Sequence, residues 1–255
     1  MKFSIPYGST KLSLELPDEK VAGVLESNIG NLKAEGTEDA IVQDAMNDPF
    51  GGVYLRDMAV GKKTATIIIS DHTRPVPSKH IIPFMLKSLR DGNPDIDITL
   101  LVATGFHRLT VDNELRNKLG DKIVDEEKIV IHDSGDADSN VKIGVLPSGA
   151  DLIIDKVAAE ADLLVSEGFI EPHFFAGFSG GRKSVLPGVS DRVTVMGNHC
   201  SKFIDSPNAR TGVLEGNPLH EDMKSAAKQA GLAYIVNVVI DEDKKVVAAF
   251  AGDPF

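Results

Sequence analysis

The sequence predicts a doubly wound α/β fold, a mostly parallel sheet with helices on both faces. Three observations predict it. Short β-branched apolar runs recur along the chain, and residues 65–70 (Ala-Thr-Ile-Ile-Ile-Ser) have the composition of a strand buried on both faces. Helical spacing follows such a run, as in Ile81, Ile82, Met85, Leu86 and Leu89. Polar, glycine-bearing clusters come directly after the runs, where loops leave the carboxyl ends of strands.

Taken in order, residues 1–50 read as a peripheral element. Lys11-Leu12-Ser13-Leu14-Glu15-Leu16 alternates like a strand, and the polar, weakly helical stretch after it ends at Asn47-Asp48-Pro49-Phe50-Gly51-Gly52. The run 65–70 is the first core strand. The helix after it carries Ile81 and Leu89, and Pro83 is tolerated only if the helix starts within a residue or two of it. The unit then repeats, with 96–103 as strand and 110–119 as a short helix closed by Gly120. Runs at 128–131, 161–165 and 234–240 extend the alternation, the last preceded by a helical 219–230. A strand-like 246–251 precedes Pro254-Phe255. This is βαβ grammar with no internal repeat and no low-complexity tract.

A chain of 255 residues makes one large domain or two small ones. Its net charge of −11, from 38 acidic against 27 basic residues, disfavours nucleic acid and anionic lipid as partners. The single cysteine, Cys200, rules out an internal disulfide, so a reducing, cytoplasmic compartment is expected. The first residues lack a signal-peptide core, and no window approaches the ~18 to 20 apolar residues of a membrane span.

The chemistry concentrates in Glu171-Pro172-His173-Phe174-Phe175-Ala176-Gly177-Phe178-Ser179-Gly180-Gly181-Arg182-Lys183-Ser184. Aromatic packing handles alternate with glycines, whose missing side chains let backbone N–H groups approach a ligand closely. Asp71-His72-Thr73-Arg74-Pro75 and Gly105-Phe106-His107-Arg108 follow their own strands, so three loops are expected to converge on one mouth.

Each candidate has a bland counterpart. The segment from Gly177 to Lys183 invites a phosphate-loop reading, but Arg182 stands where the second glycine of that motif must be. Lys183 could be a solvated surface lysine. His107 and His173 lie on different loops, which disfavours the paired-histidine helix of a zinc protease and suits proton transfer from two sides of a substrate. Either alone is more often a hydrogen-bonded structural residue. His199-Cys200 could give a nitrogen and a sulfur ligand, and His199 alone is the favoured one. Arg74 suits a carboxylate or phosphate, while Asp71 could orient a base, hold a hydroxyl or pair with Arg74. His72, His80, His132 and His220 lack supporting neighbours in the sequence and receive no role.

Together the 71–75, 103–108 and 171–183 motifs and Gly197-Asn198-His199 resemble the nickel-pincer-nucleotide-dependent lactate racemase family. The resemblance covers 1–255 as that family's amino-terminal, cofactor-binding α/β domain, with the family's second domain missing from the sequence. It implies an isomerase, a racemase or epimerase of a small 2-hydroxy acid such as lactate. The implied cofactor is a pyridinium mononucleotide with thioamide and thiocarboxylate arms that carries nickel. It would be tethered to Lys183, contacted by Asp71, Gly180 and Gly181, with His199 as a metal ligand. His107 and His173 would be the acid–base pair for the two enantiomers, and Arg74 would hold the substrate carboxylate. Asp71 would orient the cofactor or a neighbouring group. Cofactor-synthesis proteins are implied partners, and a chain without the second domain is expected to be catalytically silent. The opposing expectations are a cofactor- or anion-binding module without turnover, and a phosphate-binding enzyme using the Gly177 to Lys183 loop.

Overall fold

The computed structural model of the chain describes residues 1–8, 10–32 and 34–255. It divides into two compact units, Met1–Lys33 and Ala34–Phe255. The first contains a hairpin of β1 (Lys2–Tyr7) and β2 (Thr10–Glu15), paired antiparallel with Phe3 opposite Leu14.

The second unit begins with α1 (Glu38–Asn47) and α2 (Leu55–Ala59) and enters its sheet at β3 (Thr64–Ser70). Then come α3 (Ile82–Gly92), β4 (Asp97–Ala103), α4 (Asp112–Leu119), α5 (Asp121–Glu126) and β5 (Lys128–Ile131). An antiparallel pair outside the main sheet, β6 (Asn140–Val145) and β7 (Asp151–Asp155), precedes the single turn α6 (Lys156–Ala159). The chain returns to the sheet at β8 (Leu163–Phe169) and leaves it for a small pair, β9 (Pro172–His173) and β10 (Gly177–Phe178). Helices α7 (Arg192–Asn198), α8 (Ser201–Ile204) and α9 (Pro218–Gln229) lead to β11 (Leu232–Ile240) and β12 (Val246–Gly252).

The main sheet has the order β12-β11-β8-β3-β4-β5, parallel throughout except for β12. Register stacks Leu100, Ile67, Val165 and Tyr234 across four adjacent strands. Alternate residues feed two cores. Ile67, Ile69, Leu100, Val102 and Val236 meet α1, α2 and α3 on one face, while Ile68, Leu101 and Leu164 meet β7, α7 and α9 on the other. The doubly wound expectation is met.

The main correction concerns residues 34–50. In α1, Val42 is fully buried and Ile41, Ala45 and Met46 pack beside it, so this polar stretch carries a core stripe and is not peripheral. Its Glu38 carboxylate also accepts the Val246 amide of β12 at 2.9 Å.

The order in which strands are added reverses between β3 and its parallel neighbour β8, since β4 and β5 extend the sheet one way and β8, β11 and β12 the other. Such a switch point opens a crevice at the carboxyl ends of the strands. Deeper in the sheet, the fully buried Tyr234 has a hydroxyl with no partner among the described residues, and burial pushes it up to about 12. Tyr234→Phe should therefore leave the unfolding midpoint unchanged or raise it, by up to about 1 kcal/mol of stability. A large loss in a denaturant titration would mean that the hydroxyl is bonded.

Candidate active site

A cavity of about 390 Å³ opens at this switch point, between the ends of β3, β4 and β8. Arg74, His107, His173, Gly180, Gly181, Lys183 and His199 all line it, so three loops and the end of α7 bring these sequence candidates together. Asp71 is the exception. Its carboxylate is 1 % exposed and lies behind His107, accepting from the His107 Nδ1 at 2.8 Å and from the Thr73 hydroxyl at 2.8 Å. It makes no ion pair with Arg74 among the described residues. Of the two roles the resemblance implied for Asp71, this geometry suits orienting a neighbouring group.

The loop after β3 is pinned from two sides. Lys118 of α4 reaches in to donate to the carbonyls of Arg74 and Val76, each at 3.2 Å, and burial lowers its pKa. Glu167 of β8 accepts from the Ser70 amide at 3.0 Å and the Ser78 hydroxyl at 2.7 Å. Glu167 also lines the cavity, its second oxygen has no partner among the described residues, and desolvation raises its pKa. Sequence reading missed both groups.

On the third loop, β9 and β10 pair His173 with Gly177 and hold the turn between them as a cluster of rings. The His173 ring stacks on Phe174 at 4.9 Å and meets the edge of Phe175 at 4.5 Å, and Phe175 meets the edge of His199 at 5.3 Å. The Nδ1 of His173 accepts from the amides of Phe175 at 3.5 Å and Ala176 at 3.3 Å. Burial first, and then the charges of Lys183 and Arg74, push the His173 imidazole down to about 4.

Gly180 and Gly181 turn the chain beneath this cluster with φ of 76° and 52°, a region that favours glycine. A Cβ on Gly180 would stand 2.9 Å from the Phe169 carbonyl oxygen. Arg182 follows and points inward. Its guanidinium donates to the carbonyls of Ala176 at 2.9 Å, Gly180 at 3.2 Å and Ser179 at 3.3 Å, and to His220 Nδ1 at 3.0 Å. It has no carboxylate partner among the described residues, and burial pushes it down to about 10. The loop thus turns carbonyls onto its own arginine, which is not the cradle of amides a phosphate loop needs.

The Lys183 amine has no hydrogen-bond or ion-pair partner among the described residues and lies 5.7 Å from the Phe175 ring centre. Burial, then Arg182 and Arg74, lower its pKa to about 7 against a small opposing pull from Glu171. His199 ends α7, where burial and Lys183 push it down to about 4 and its buried Nδ1 has no partner among the described residues. Cys200 beside it is half-buried and free.

The histidines left without a role do have neighbours. His132 is fully buried between the Asp155 carboxylate and the Ser190 carbonyl, each at 3.0 Å, and tells of packing between β5, β7 and the segment after Lys183. His220 supports Arg182, His72 Nδ1 meets the Thr110 hydroxyl at 2.9 Å, and His80 pairs with Asp39 at 2.6 Å. Each partner comes from a distant segment, which is why the local sequence gave no sign of it.

Among the described residues no group of three His, Cys, Asp or Glu side chains could hold a metal by itself. A metal in this cavity would have to arrive with ligands of its own. The donor set suits that arrangement: a neutral imidazole with an unpartnered nitrogen at His199, an amine without a partner at Lys183, and a floor at Gly180 and Gly181 free of side chains. The Arg74 guanidinium also gives this acidic chain a cavity wall fitted to an anion.

Comparison with known proteins places these features in context. Residues 7–212 match the family described as the lactate racemase N-terminal domain. The chain is 54% identical over 248 residues to a lactate racemase of Thermoanaerobacterium thermosaccharolyticum, covering 97% of the chain and 58% of that protein. It is likewise 54% identical over 249 residues to a lactate racemase of Lactiplantibacillus plantarum, covering 98% of the chain and 59% of that protein. The chain therefore spans about three fifths of the length of these relatives. The structure of the lactate racemase apoprotein from T. thermosaccharolyticum superposes with a TM-score of 0.89 at 51% identity, over 100% of this chain and 59% of that one. A crystal structure of a Thermotoga maritima protein, with a TM-score of 0.68 at 20% identity over 84% of this chain and 54% of that one, shares the fold.

Proposed function

The chain belongs to the lactate racemase family through that family's amino-terminal domain, and from this premise we propose that it forms the cofactor-bearing part of a racemase or epimerase of small 2-hydroxy acids. One observation carries the reading. A lysine amine with a pKa near 7, a free guanidinium and two imidazoles on separate loops line the same small cavity. Lactate is the substrate in the relatives' names and sets the size class.

The cofactor proposed for this cavity is the nickel-pincer nucleotide, with Lys183 as its covalent anchor, His199 as a nickel ligand and the Gly180-Gly181 turn giving it room. When bound, this group supplies a hydride acceptor. Loading it depends on cofactor-synthesis proteins. The chain's own residues do the rest. Arg74 offers the planar fork that holds a carboxylate, and its backbone is fixed by Lys118. His107 and His173 exchange the proton of the 2-hydroxyl, a task for a base whose ordinary pKa lies near neutrality. Phe174 and Phe175 carry apolar surface at the cavity wall and limit water around the reacting atoms. A hydroxy acid that loses a proton from oxygen and hydride from C2 becomes a planar keto acid, and return to the opposite face inverts the centre.

The test uses the full-length, cofactor-loaded protein, second domain included, and single enantiomers of several 2-hydroxy acids in ordinary and deuterated water. Loss of optical rotation without deuterium at C2 is expected. Unchanged rotation across the panel would leave a binding module in place of an enzyme.

A further inference from the structure

The two cavity histidines are not equivalent. An ionised carboxylate only accepts hydrogen bonds, so the His107 Nδ1 that meets the Asp71 Oδ2 at 2.8 Å must carry a proton. This leaves the Nε2 of a neutral His107 bare. A backbone amide only donates, so the His173 Nδ1 that receives the amides of Phe175 and Ala176 must be bare. The proton of a neutral His173 therefore sits on Nε2. The two partners differ in kind, one a side chain from the loop after β3 and the other the turn that carries His173 itself.

We propose that the fold presets His107 and His173 in opposite tautomers, so that in the resting protein His107 accepts the hydroxyl proton while His173 offers a hydrogen bond. Asp71 is the positioning residue for the first, and the Phe175 and Ala176 amides position the second. The inference rests on the hydroxy-acid reading above and refines it. When His107 Nε2 takes the proton, the substrate O–H bond breaks, an N–H bond forms, and the positive imidazolium gains the Asp71 carboxylate as its counter-charge at 2.8 Å. Among the described residues His173 has no carboxylate at its ring. To accept a proton at Nε2 it must first move its own proton to Nδ1, which sets a donor against two backbone donors. The tautomer exchange thus precedes proton transfer in the direction that uses His173 as acceptor, and in the other direction the same exchange runs in reverse after the transfer.

Enantiomers have equal free energy, so kcat/KM must be the same for the two directions at equilibrium. The asymmetry is confined to kcat and KM taken separately, with kcat lower for the enantiomer served by His173.

The tautomers can be read on the chain itself, without cofactor or substrate, by two-bond proton–nitrogen correlation on protein labelled with nitrogen-15 histidine. His107→Gln and His173→Gln spectra assign the two rings. The expected result is a protonated Nδ1 and bare Nε2 at His107, the reverse at His173, and loss of the His107 pattern alone in Asp71→Asn. The same tautomer at both rings overturns the proposal, and this wild-type reading stands even if Asp71→Asn fails to fold. A His107 pattern unchanged in folded Asp71→Asn overturns the role of Asp71. Because no turnover is measured, failure here is distinct from failure of the racemase reading, which the rotation assay decides.

Discussion

Lys183 should be the most reactive lysine of the folded chain towards a small acylating reagent at neutral pH. Its environment removes the usual protection. An exposed lysine, with a pKa near 10.4, holds on the order of one amine in 10³ in the neutral form at pH 7. With its pKa lowered to about 7, chiefly by burial and then by Arg182 and Arg74, half of Lys183 is neutral there. A less basic amine is also a weaker nucleophile, and burial slows access, so the net advantage should be about tenfold to a hundredfold over an exposed lysine. The pH profile is the cleaner signature. Labelling at Lys183 should rise through about pH 7 and level off, while the other lysines continue to climb towards pH 10. The same shift means that the folded chain binds fewer protons than the unfolded one between these values, so its contribution to stability grows as pH rises across that window. Peptide mass analysis after brief labelling at a series of pH values reads the outcome. If Lys183 titrates with the bulk lysines, the desolvated cavity wall is wrongly described. In protein co-expressed with cofactor-making enzymes, the covalent adduct should map to the same residue and vanish in Lys183→Ala.

That lysine was legible from its place after two glycines, and so were the strand-and-loop units around it. The runs at 65–70 and 96–103 correspond to β3 and β4, and the polar clusters after them line the cavity because a parallel sheet sends every such loop to the same edge. The run read at 161–165 was too short. β8 continues through Ser166-Glu167-Gly168 to Phe169, because β3 pairs it as far as Ser166 and β11 holds the rest in the ladder. Glu167 was hidden for that reason. A carboxylate at the end of an apolar run looks like the start of a loop, whereas the folded chain buries it against the Ser70 amide and Ser78.

Arg182 shows a different limit. Gly-Gly-Arg-Lys reads as two cations on a flexible turn, yet the positive φ of both glycines turns one side chain into the protein and leaves the other at the cavity. The inward arginine is held by carbonyls of its own loop and by His220 from α9, an arrangement that no local pattern encodes. It also acts on its neighbours. A buried guanidinium with no counter-ion among the described residues raises the electrostatic cost of a second cation nearby, which is part of why the pKa values of Lys183 and His173 are lowered.

Replacing the cavity histidines should separate proton transfer from metal binding. In full-length, cofactor-loaded protein, His107→Ala or His173→Ala should lower racemisation by about 10² to 10⁴, the usual cost of losing a general acid–base group. Neither should lose nickel. His107 has its Nδ1 engaged by Asp71, and His173 has its own engaged by two backbone amides, which suits the hydroxyl-proton task proposed for both. His199 differs in its surroundings. Its Nδ1 has no partner among the described residues, and burial together with the Lys183 charge keeps the ring neutral, the form that a metal requires. His199→Ala should therefore cut the nickel content while leaving the Lys183 adduct detectable by intact mass, because the organic tether does not pass through the imidazole. Metal analysis, adduct mass and rotation assays on the three variants give the comparison, with unfolding midpoints as a control for the packing lost against Phe175. Equal nickel loss in all three would show that ligand and bases have been assigned to the wrong rings.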